Sequence, residues 1–340
     1  MDVGFPELFR AALTSVEQCQ VTADEKVVVY TDSEKNPAVV EAWYAACLTT
    51  GADVTLVRAT ARFPETDPPE VALDAMRSAD MTFDLASNTW LYAPGLPPIL
   101  EAGGRVLQVL VPERSIIDRP PDPDILWRAD VSERVVEGSQ QIHVTSPLGT
   151  DLRATRGDRP WHAQRGYTWK AGQWDSYGVC MINCAPIEES VEGVIYFNGP
   201  MILFPQYCYT TKQPIRAEVE GGRIVGIDTD HDEARTFDRW LRQFEDPNVE
   251  LVAHIGFGFD PRADLESFDL AAWESYYGGV VVAFGANQTP TLQGSHPAKG
   301  HMDGILLGAN FSLDGRQIIQ GGEFVEDTGL LRRRATHSES

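Results

Sequence analysis

Two histidines and one aspartate in the last third of the chain are the residues best suited to hold a metal ion. His301 and Asp303 form an H-x-D pair, and residues two apart in a strand project from the same face of a sheet. His254 follows an apolar run and precedes glycines that permit a tight turn. A face of two imidazoles and one carboxylate leaves coordination sites open on non-haem iron(II). The spacing alone also fits an ordinary hydrogen-bonded His–Asp pair, so both explanations stay open at this point.

Sequence motifs of several other catalytic classes are missing. The chain has no G-x-S-x-G nucleophile elbow, no H-E-x-x-H zinc motif, no phosphate-binding P-loop and no EF-hand loop. The acidic run at 228–232 looks like a metal cluster, but it directly precedes a predicted helix, where such residues act as N-caps. The histidines and the aspartate named above are therefore the main candidates for chemistry.

The elements that must position these residues begin with a predicted α/β domain at residues 1–138. Four apolar runs of strand length alternate with three segments of helical spacing. The predicted strands are 26–32, 53–60, 81–86 and 105–110, and the predicted helices are 36–51, 68–80 and 97–103. Such alternation builds a parallel sheet covered by helices, so we expect a Rossmann-like domain. No G-x-G-x-x-G motif follows a strand, so a dinucleotide is not indicated.

A second domain is predicted at residues 139–330, with α+β and mostly β structure, and it carries the candidate metal ligands. Its strand patterns are punctuated by glycines, and EVEGGRIVGI predicts a hairpin that turns at Gly221 and Gly222. One helix is predicted at 232–246. Residues 331–340 are polar, and we expect them to form a disordered tail.

The charge balance indicates which partners to exclude. The 340 residues include 28 Lys and Arg against 50 Asp and Glu, a formal net charge of −22. Such a surface repels phosphate backbones and anionic lipids, so we expect neither a nucleic acid nor a membrane partner. No stretch approaches the ~20 apolar residues that cross a bilayer, and the N-terminus lacks a signal-peptide pattern. Five cysteines without a disulfide pattern fit a reducing compartment, so we expect a cytoplasmic protein.

With these residues in view, the chain resembles the 2,5-dihydroxypyridine 5,6-dioxygenase family of iron(II) ring-cleaving enzymes. The similarity runs in the same order over nearly the whole chain and is most specific in the decamer that begins at His254. The matching stretches are GQWD (172–175), SVEGVIYFNG (190–199), ILFPQYC (202–208), IRAEVEGGRIVGI (215–227), HIGFGFDPRA (254–263) and GHMD (300–303). By this resemblance, His254, His301 and Asp303 hold one Fe(II) per chain. The resemblance also implies a small-molecule substrate, O2 as co-substrate and a homo-oligomer.

The sequence departs from this family at two histidine positions, which align here near Tyr92 and Ser176. A tyrosine exchanges hydrogen bonds, but its ordinary pKa near 10 makes it a poor base at neutral pH. The wider relatives, related to aminopeptidase T, bind two metals and place a glutamate where His254 stands. They also carry a histidine in the strand at 278–285, where this chain has none. The comparison implies a single metal site here.

Further site residues are implied by the same resemblance. The candidates for proton handling are Tyr92, Asp175 and Glu192, and the candidates for substrate binding are Trp174, Ser176, Tyr177 and His296. Glu192 matches a ligand position of the peptidases, but a surface turn is an equally good explanation of it. Core packing explains Trp174 and Tyr177 almost as well, and a surface loop explains His296.

The function expected from this sequence is a non-haem Fe(II)-dependent dioxygenase. It would open the ring of a hydroxylated N-heterocycle such as 2,5-dihydroxypyridine or a related hydroxylated ring. The runner-up is a metal-dependent, aminopeptidase-like hydrolase with one metal, using a metal-bound water. A third alternative is a binding protein that keeps the fold without activity.

Overall fold

The computed structural model describes residues 4–204 and 207–331. Most of the predicted tail, residues 332–340, lies outside the described residues. The helices are α1 (Phe5–Gln18), α2 (Pro37–Thr49), α3 (Glu70–Arg77), α4 (Leu96–Glu101), α5 (Glu113–Asp118), α6 (Pro123–Val136), α7 (Asp232–Arg242) and α8 (Leu270–Ser275). Within these ranges, no helix is long and apolar enough to cross a bilayer.

The strands fall into one parallel and two antiparallel sheets. In chain order they are β1 (Lys26–Asp32), β2 (Asp53–Ala59), β3 (Met81–Leu85), β4 (Arg105–Gln108), β5 (Gln141–Thr145), β6 (Asp151–Thr155), β7 (His162–Ala163), β8 (Trp174–Ser176), β9 (Met181–Cys184), β10 (Glu192–Phe197), β11 (Pro200–Phe204), β12 (Tyr207–Thr210), β13 (Ile215–Glu220), β14 (Arg223–Ile227), β15 (Val252–Gly258), β16 (Val280–Gly285), β17 (His301–Leu306), β18 (Asn310–Leu313), β19 (Arg316–Gln320) and β20 (Glu323–Phe324). Short 3-10 helices occupy Glu188–Ser190, Pro247–Glu250 and Glu326–Thr328.

The five-stranded sheet has the order β2-β1-β3-β4-β8, and all of its strands are parallel. The buried apolar run of β1 places it inside the sheet, and Asn36 caps α2 by accepting a hydrogen bond from Ala38 N. The four strands and three helices predicted for the first 110 residues are confirmed, with shifts of a few residues at their ends. The fifth strand, β8, comes from beyond residue 138, so the sheet crosses the predicted domain boundary.

The two antiparallel sheets pack face to face. Their orders are β14-β13-β10-β6-β5-β18-β19-β20 and β12-β11-β17-β16-β15-β9-β7. Apolar side chains from both sheets, including Leu152, Ile195, Phe257 and Val282, form one fully buried core between them. The predicted hairpin is confirmed as β13 and β14, whose turn glycines have φ values of +53° and +78°. The protein is therefore a mixed α/β structure built on several sheets.

The seven-stranded sheet turns its other face toward the parallel sheet. Ile202, Val281 and Ile305 on that face share a hydrophobic cluster with Phe83 and Leu107 of the parallel sheet. Residues at and just after the carboxyl ends of the parallel strands therefore come opposite the face of the antiparallel sheet. This is the edge at which α/β sheets bind ligands, because successive loops diverge there and leave a crevice.

A buried ion network joins the segment after α5 to the N-terminus of α8. The Arg119 guanidinium donates to Asp269 at 2.5 Å and to the Gly178 carbonyl at 2.9 Å, and it lies 3.7 Å from Asp260. The three charged side chains are at most 5% exposed. Removing the cation would leave the Asp269 carboxylate buried without a cationic partner, which costs far more than the loss of a surface pair, whereas Asp260 keeps its bonds to Arg262.

We predict that Arg119→Met lowers the free energy of unfolding by about 3 kcal/mol, because it breaks a buried pair by removing one partner. Equilibrium unfolding in urea measures this loss. Arg114→Met, which removes an exposed pair with Asp118 in α5, is the matched control and should change stability by less than about 1 kcal/mol. Equal effects of the two substitutions would contradict the network's role.

Candidate active site

Three adjacent strands of the seven-stranded sheet bring the predicted metal ligands together. His254 lies on β15, and His301 and Asp303 lie on β17, with β16 between them. In the sheet register, His254 pairs with Ala283, and Ala283 pairs with Asp303. Because the residue between the two ligands carries only a methyl group, their side chains meet above it.

The ligand atoms form a compact group. His254 Nε2 lies 3.1 Å from Asp303 Oδ1, and His301 Nε2 lies 3.3 Å from Asp303 Oδ2. One donor atom from each residue lies within 4.8 Å of the other two. All three residues are 3% exposed, so water does not compensate this cluster of polar atoms.

The protonation states suit metal binding. Burial lowers the pKa of His254, against the opposing influence of Asp303. Burial alone would raise the pKa of Asp303, but the charges and hydrogen bonds of the two histidines hold it below its ordinary value. His301 Nδ1 donates to the Ala286 carbonyl across 2.9 Å, so Nε2 is the unprotonated ring nitrogen and faces the cluster.

A metal ion fits this donor set. Apart from its 3.1 Å contact with His254 Nε2, the buried Asp303 Oδ1 has no hydrogen-bond partner among the described residues. Two imidazoles and a carboxylate on one side of a cavity are the donors of the facial triad found in non-haem iron enzymes. The chemistry of these donors therefore accounts for a buried carboxylate that the surrounding protein leaves partly unsatisfied.

A cavity of about 300 Å³ opens beside the three ligands. Its walls are mainly apolar and include Leu91, Leu110, Trp174 and Met181. Its mouth includes Phe268, which is 66% exposed. A mostly apolar pocket of this size with a few polar groups is typical of a small-molecule site.

Besides the three metal ligands, seven residues were predicted to belong to the site. Three of them line this cavity, namely Tyr92, Trp174 and Ser176. The Tyr92 hydroxyl donates to His301 Nε2 across 3.1 Å, and the two rings lie 4.5 Å apart between centroids. Trp174 and Ser176 come from β8, at the carboxyl edge of the parallel sheet.

Four other predicted residues are not brought to the cavity. Glu192 is exposed in the eight-stranded sheet, and its carboxylate accepts from Gly221 N. Asp175 points away on β8 and accepts from the backbone of Arg165, because alternate strand residues face opposite sides.

The other two residues outside the cavity are committed to structural contacts. Tyr177 is fully buried, its hydroxyl donates to the Ile116 carbonyl, and its ring meets Trp43 edge-on. His296 is buried rather than in a surface loop, with Nε2 against the Gly285 carbonyl at 2.8 Å. Tyr177 therefore packs in the core, and His296 ties its loop to the end of β16.

Several polar residues of the cavity were not predicted from the sequence, namely Glu65, Asn183 and Glu274. Glu65 has a left-handed φ of 56° and accepts from Tyr92 N at 2.8 Å, while its other oxygen has no partner in the described ranges. Burial raises the pKa of both glutamates. His162 also lines the cavity. Isolated acids and amides give no sequence signal, so only the fold reveals them.

Comparison with known proteins assigns this chain to a family. The model of the family described as 2,5-dihydroxypyridine 5,6-dioxygenase matches residues 5–326. The curated 2,5-dihydroxypyridine 5,6-dioxygenase of Pseudomonas putida strain KT2440 is 28% identical over 261 residues, which cover 74% of this chain and 72% of that protein.

Two solved structures share the fold. A 2,5-dihydroxypyridine dioxygenase from Pseudomonas putida KT2440 superimposes with a TM-score of 0.85 at 24% identity, covering 96% of this chain and 99% of the other. AmpT from Thermus thermophilus superimposes with a TM-score of 0.70 at 15% identity, covering 94% and 99%. The predicted family is confirmed by the match of its model to nearly the whole chain. The chain belongs to the 2,5-dihydroxypyridine 5,6-dioxygenase family, and it is therefore an enzyme of the ring-cleaving dioxygenase class.

Proposed function

We propose that this enzyme uses O2 to open the ring of a hydroxylated N-heterocycle, with 2,5-dihydroxypyridine as the first candidate substrate. The proposal includes one Fe(II) per chain, held by His254, His301 and Asp303. The observation that carries it is the convergence of these three ligands beside a cavity of about 300 Å³ in a member of this family. The named activity of the Pseudomonas putida relative supports the choice of substrate.

The side chains around the cluster prepare a metal-dependent reaction. When bound, Fe(II) supplies the redox-active centre at which an electron-rich ring and O2 react. His254 is kept neutral by burial, so it offers a lone pair, and Asp303 supplies the negative charge of the ligand set. The Ala286 carbonyl orients His301, and Trp174 and Leu91 supply flat and apolar walls for a ring. The buried cavity limits competing reactions with water.

Tyr92 is suited to donate a hydrogen bond beside the ligands. Burial, with the charges of Asp303, Glu65 and Glu274, raises the pKa of Tyr92 well above 10. Its phenol therefore stays protonated at neutral pH and acts as a donor rather than a base. Its position against His301 Nε2 places this donor where a substrate oxygen would approach the metal.

Four earlier expectations remain predictions under this proposal. They are the Rossmann-like character of the parallel sheet, the domain boundary between 138 and 139, which β8 crosses to join that sheet, the cytoplasmic location and the homo-oligomeric state. The proposed reaction does not depend on any of them, because every residue of the cavity discussed above belongs to one chain.

We predict that anaerobic loading gives about one Fe(II) per chain and that the loaded enzyme consumes O2 with 2,5-dihydroxypyridine. His301→Ala should bind less than about a tenth as much iron, because loss of an imidazole breaks the triad. Iron analysis and an oxygen electrode measure the two effects. His143→Ala, which removes a partly exposed histidine paired with Asp151, should leave both unchanged. Full iron binding by His301→Ala would contradict the proposed ligand set.

We predict that Tyr92→Phe lowers kcat by about 10- to 100-fold without reducing iron content, because it removes a donor but no ligand. Single-turnover oxygen uptake and metal analysis separate these effects. Tyr44→Phe, on α2 and outside the residues that line the cavity, is the matched tyrosine control. An unchanged kcat in Tyr92→Phe would remove this residue from the reaction.

A further inference from the structure

Asn183 and His162 form a polar edge of the cavity on one side of the metal ligands. Asn183 on β9 pairs in register with His162 on β7 and with Gly256 on β15. Residues paired across strands share a face of the sheet, and Gly256 shares that face with His254 because the two are two residues apart. The polar edge therefore lies about 7 Å along the strand direction from a metal ligand. A single six-membered ring with substituents at opposite ends can bridge that distance.

Both members of the polar edge carry buried atoms without partners. Asn183 is only 3% exposed, and its Oδ1 accepts no hydrogen bond from residues 4–204 or 207–331. His162 Nε2 is likewise buried and unpartnered within those ranges. Buried polar groups are nearly always hydrogen-bonded in native proteins, so two orphan atoms side by side in a cavity indicate a ligand that bonds to them.

The sheet keeps this polar edge open. An added Cβ on Gly256 would lie 2.0 Å from the Ile182 carbonyl oxygen and 2.8 Å from Asn183 Cβ. No side chain fits at that position, so none from β15 covers the amide. The polar edge consequently faces the cavity, and both residues are among those that line it.

The described lining of the cavity offers no lysine or arginine to an anionic ring. The carboxylates of Glu65, Asp269, Glu274 and Asp303 line the cavity, whereas none of its described lining residues is lysine or arginine. Asp269 is paired with Arg119 outside the cavity, but Glu65 and Glu274 have no cationic partner among the described ion pairs. A ring carboxylate would find no cationic side chain among these lining residues, so the protein would recognise a ring through neutral hydrogen-bonding groups.

We propose that Asn183, supported by His162, is the specificity residue that recognises the lactam edge of a neutral pyridone ring. A lactam presents an N–H donor beside a carbonyl acceptor, and a primary amide offers the complementary acceptor and donor in either orientation. This proposal rests on the proposed function for the choice of ring. It goes further by identifying the part of the ring to which the protein forms hydrogen bonds. A site built to hydrogen-bond a polar group rejects isosteres that lack it, because its own groups are left unpaired.

The test compares 2,5-dihydroxypyridine with benzene-1,4-diol, which has the same shape and both oxygens but a C–H in place of the ring nitrogen. Isothermal titration calorimetry of the Fe(II)-loaded enzyme under nitrogen gives both dissociation constants without turnover. We expect the wild type to bind the pyridine at least about tenfold more tightly. In Asn183→Leu, which keeps a similar volume, the ratio should fall to near one.

Two controls keep the outcome interpretable. Asn248→Leu makes the same change at an asparagine that does not line the cavity and donates to the Pro297 carbonyl, and it should preserve the ratio. Iron content and melting temperature of Asn183→Leu report whether the variant is folded and loaded, and His162→Phe provides a second variant whose ratio should also fall. A folded, iron-loaded Asn183→Leu that keeps the wild-type ratio overturns the proposal.

The proposed dioxygenase activity and the proposed recognition role of Asn183 can be refuted independently of each other. A wild type that prefers the pyridine in an Asn183-dependent way but consumes no O2 would refute the proposed dioxygenase activity and leave the recognition edge standing. If the enzyme consumes O2 with 2,5-dihydroxypyridine but Asn183→Leu keeps the wild-type ratio of dissociation constants, only the recognition role of Asn183 is refuted.

Discussion

The methyl group of Ala283 is the constraint on which the site depends. Neighbouring strands are about 4.8 Å apart, so ligands on β15 and β17 stand across an intervening strand and meet only if that strand presents a small side chain. Ala283 pairs with both His254 and Asp303, and Gly285 pairs with His301 in the same way. The two small residues of β16 thus form the floor over which two imidazoles and a carboxylate converge. A larger side chain at Ala283 would crowd the space in which the ligand atoms meet, and a Cβ at Gly285 would lie 2.1 Å from the Gly300 carbonyl oxygen.

The convergence creates an electrostatic problem that a divalent cation solves. Asp303, Glu65 and Glu274 line one buried cavity whose described lining contains no lysine or arginine. Burial and the negative charges of Asp303 and Asp269 raise the pKa of Glu274 well above 4.5, so these carboxylates oppose one another's ionisation. A bound divalent ion would be the largest local charge and would reverse this opposition. The carboxylates that oppose one another's ionisation are therefore the same groups that favour a bound divalent cation.

Sequence patterns predicted the parts of this arrangement that depend on local periodicity. The H-x-D spacing places His301 and Asp303 on one face because strand residues alternate, and the first strands and helices follow their apolar runs. The pairing of His254 with them needed the resemblance, because the order of β15, β16 and β17 is a long-range property. Proximity to a motif in the sequence did not predict which residues line the cavity. Asp175 lies between Trp174 and Ser176 yet faces the opposite side of β8, while Glu65 and Asn183 sit in segments without any motif.

The number of candidate metal-binding groups helps to decide which activity this fold carries here. The superposition on AmpT at 15% identity establishes a shared architecture, so activity has to be argued from the site. In residues 4–204 and 207–331, His254, His301 and Asp303 form the one group able to hold an ion with three such ligands. Glu65 and Glu274 share the cavity but belong to no such group, so they line the substrate space instead of building a second centre. A single three-ligand group beside an apolar cavity favours the proposed ring opening over two-metal hydrolysis, because the latter needs paired ions to hold both attacking and leaving oxygens.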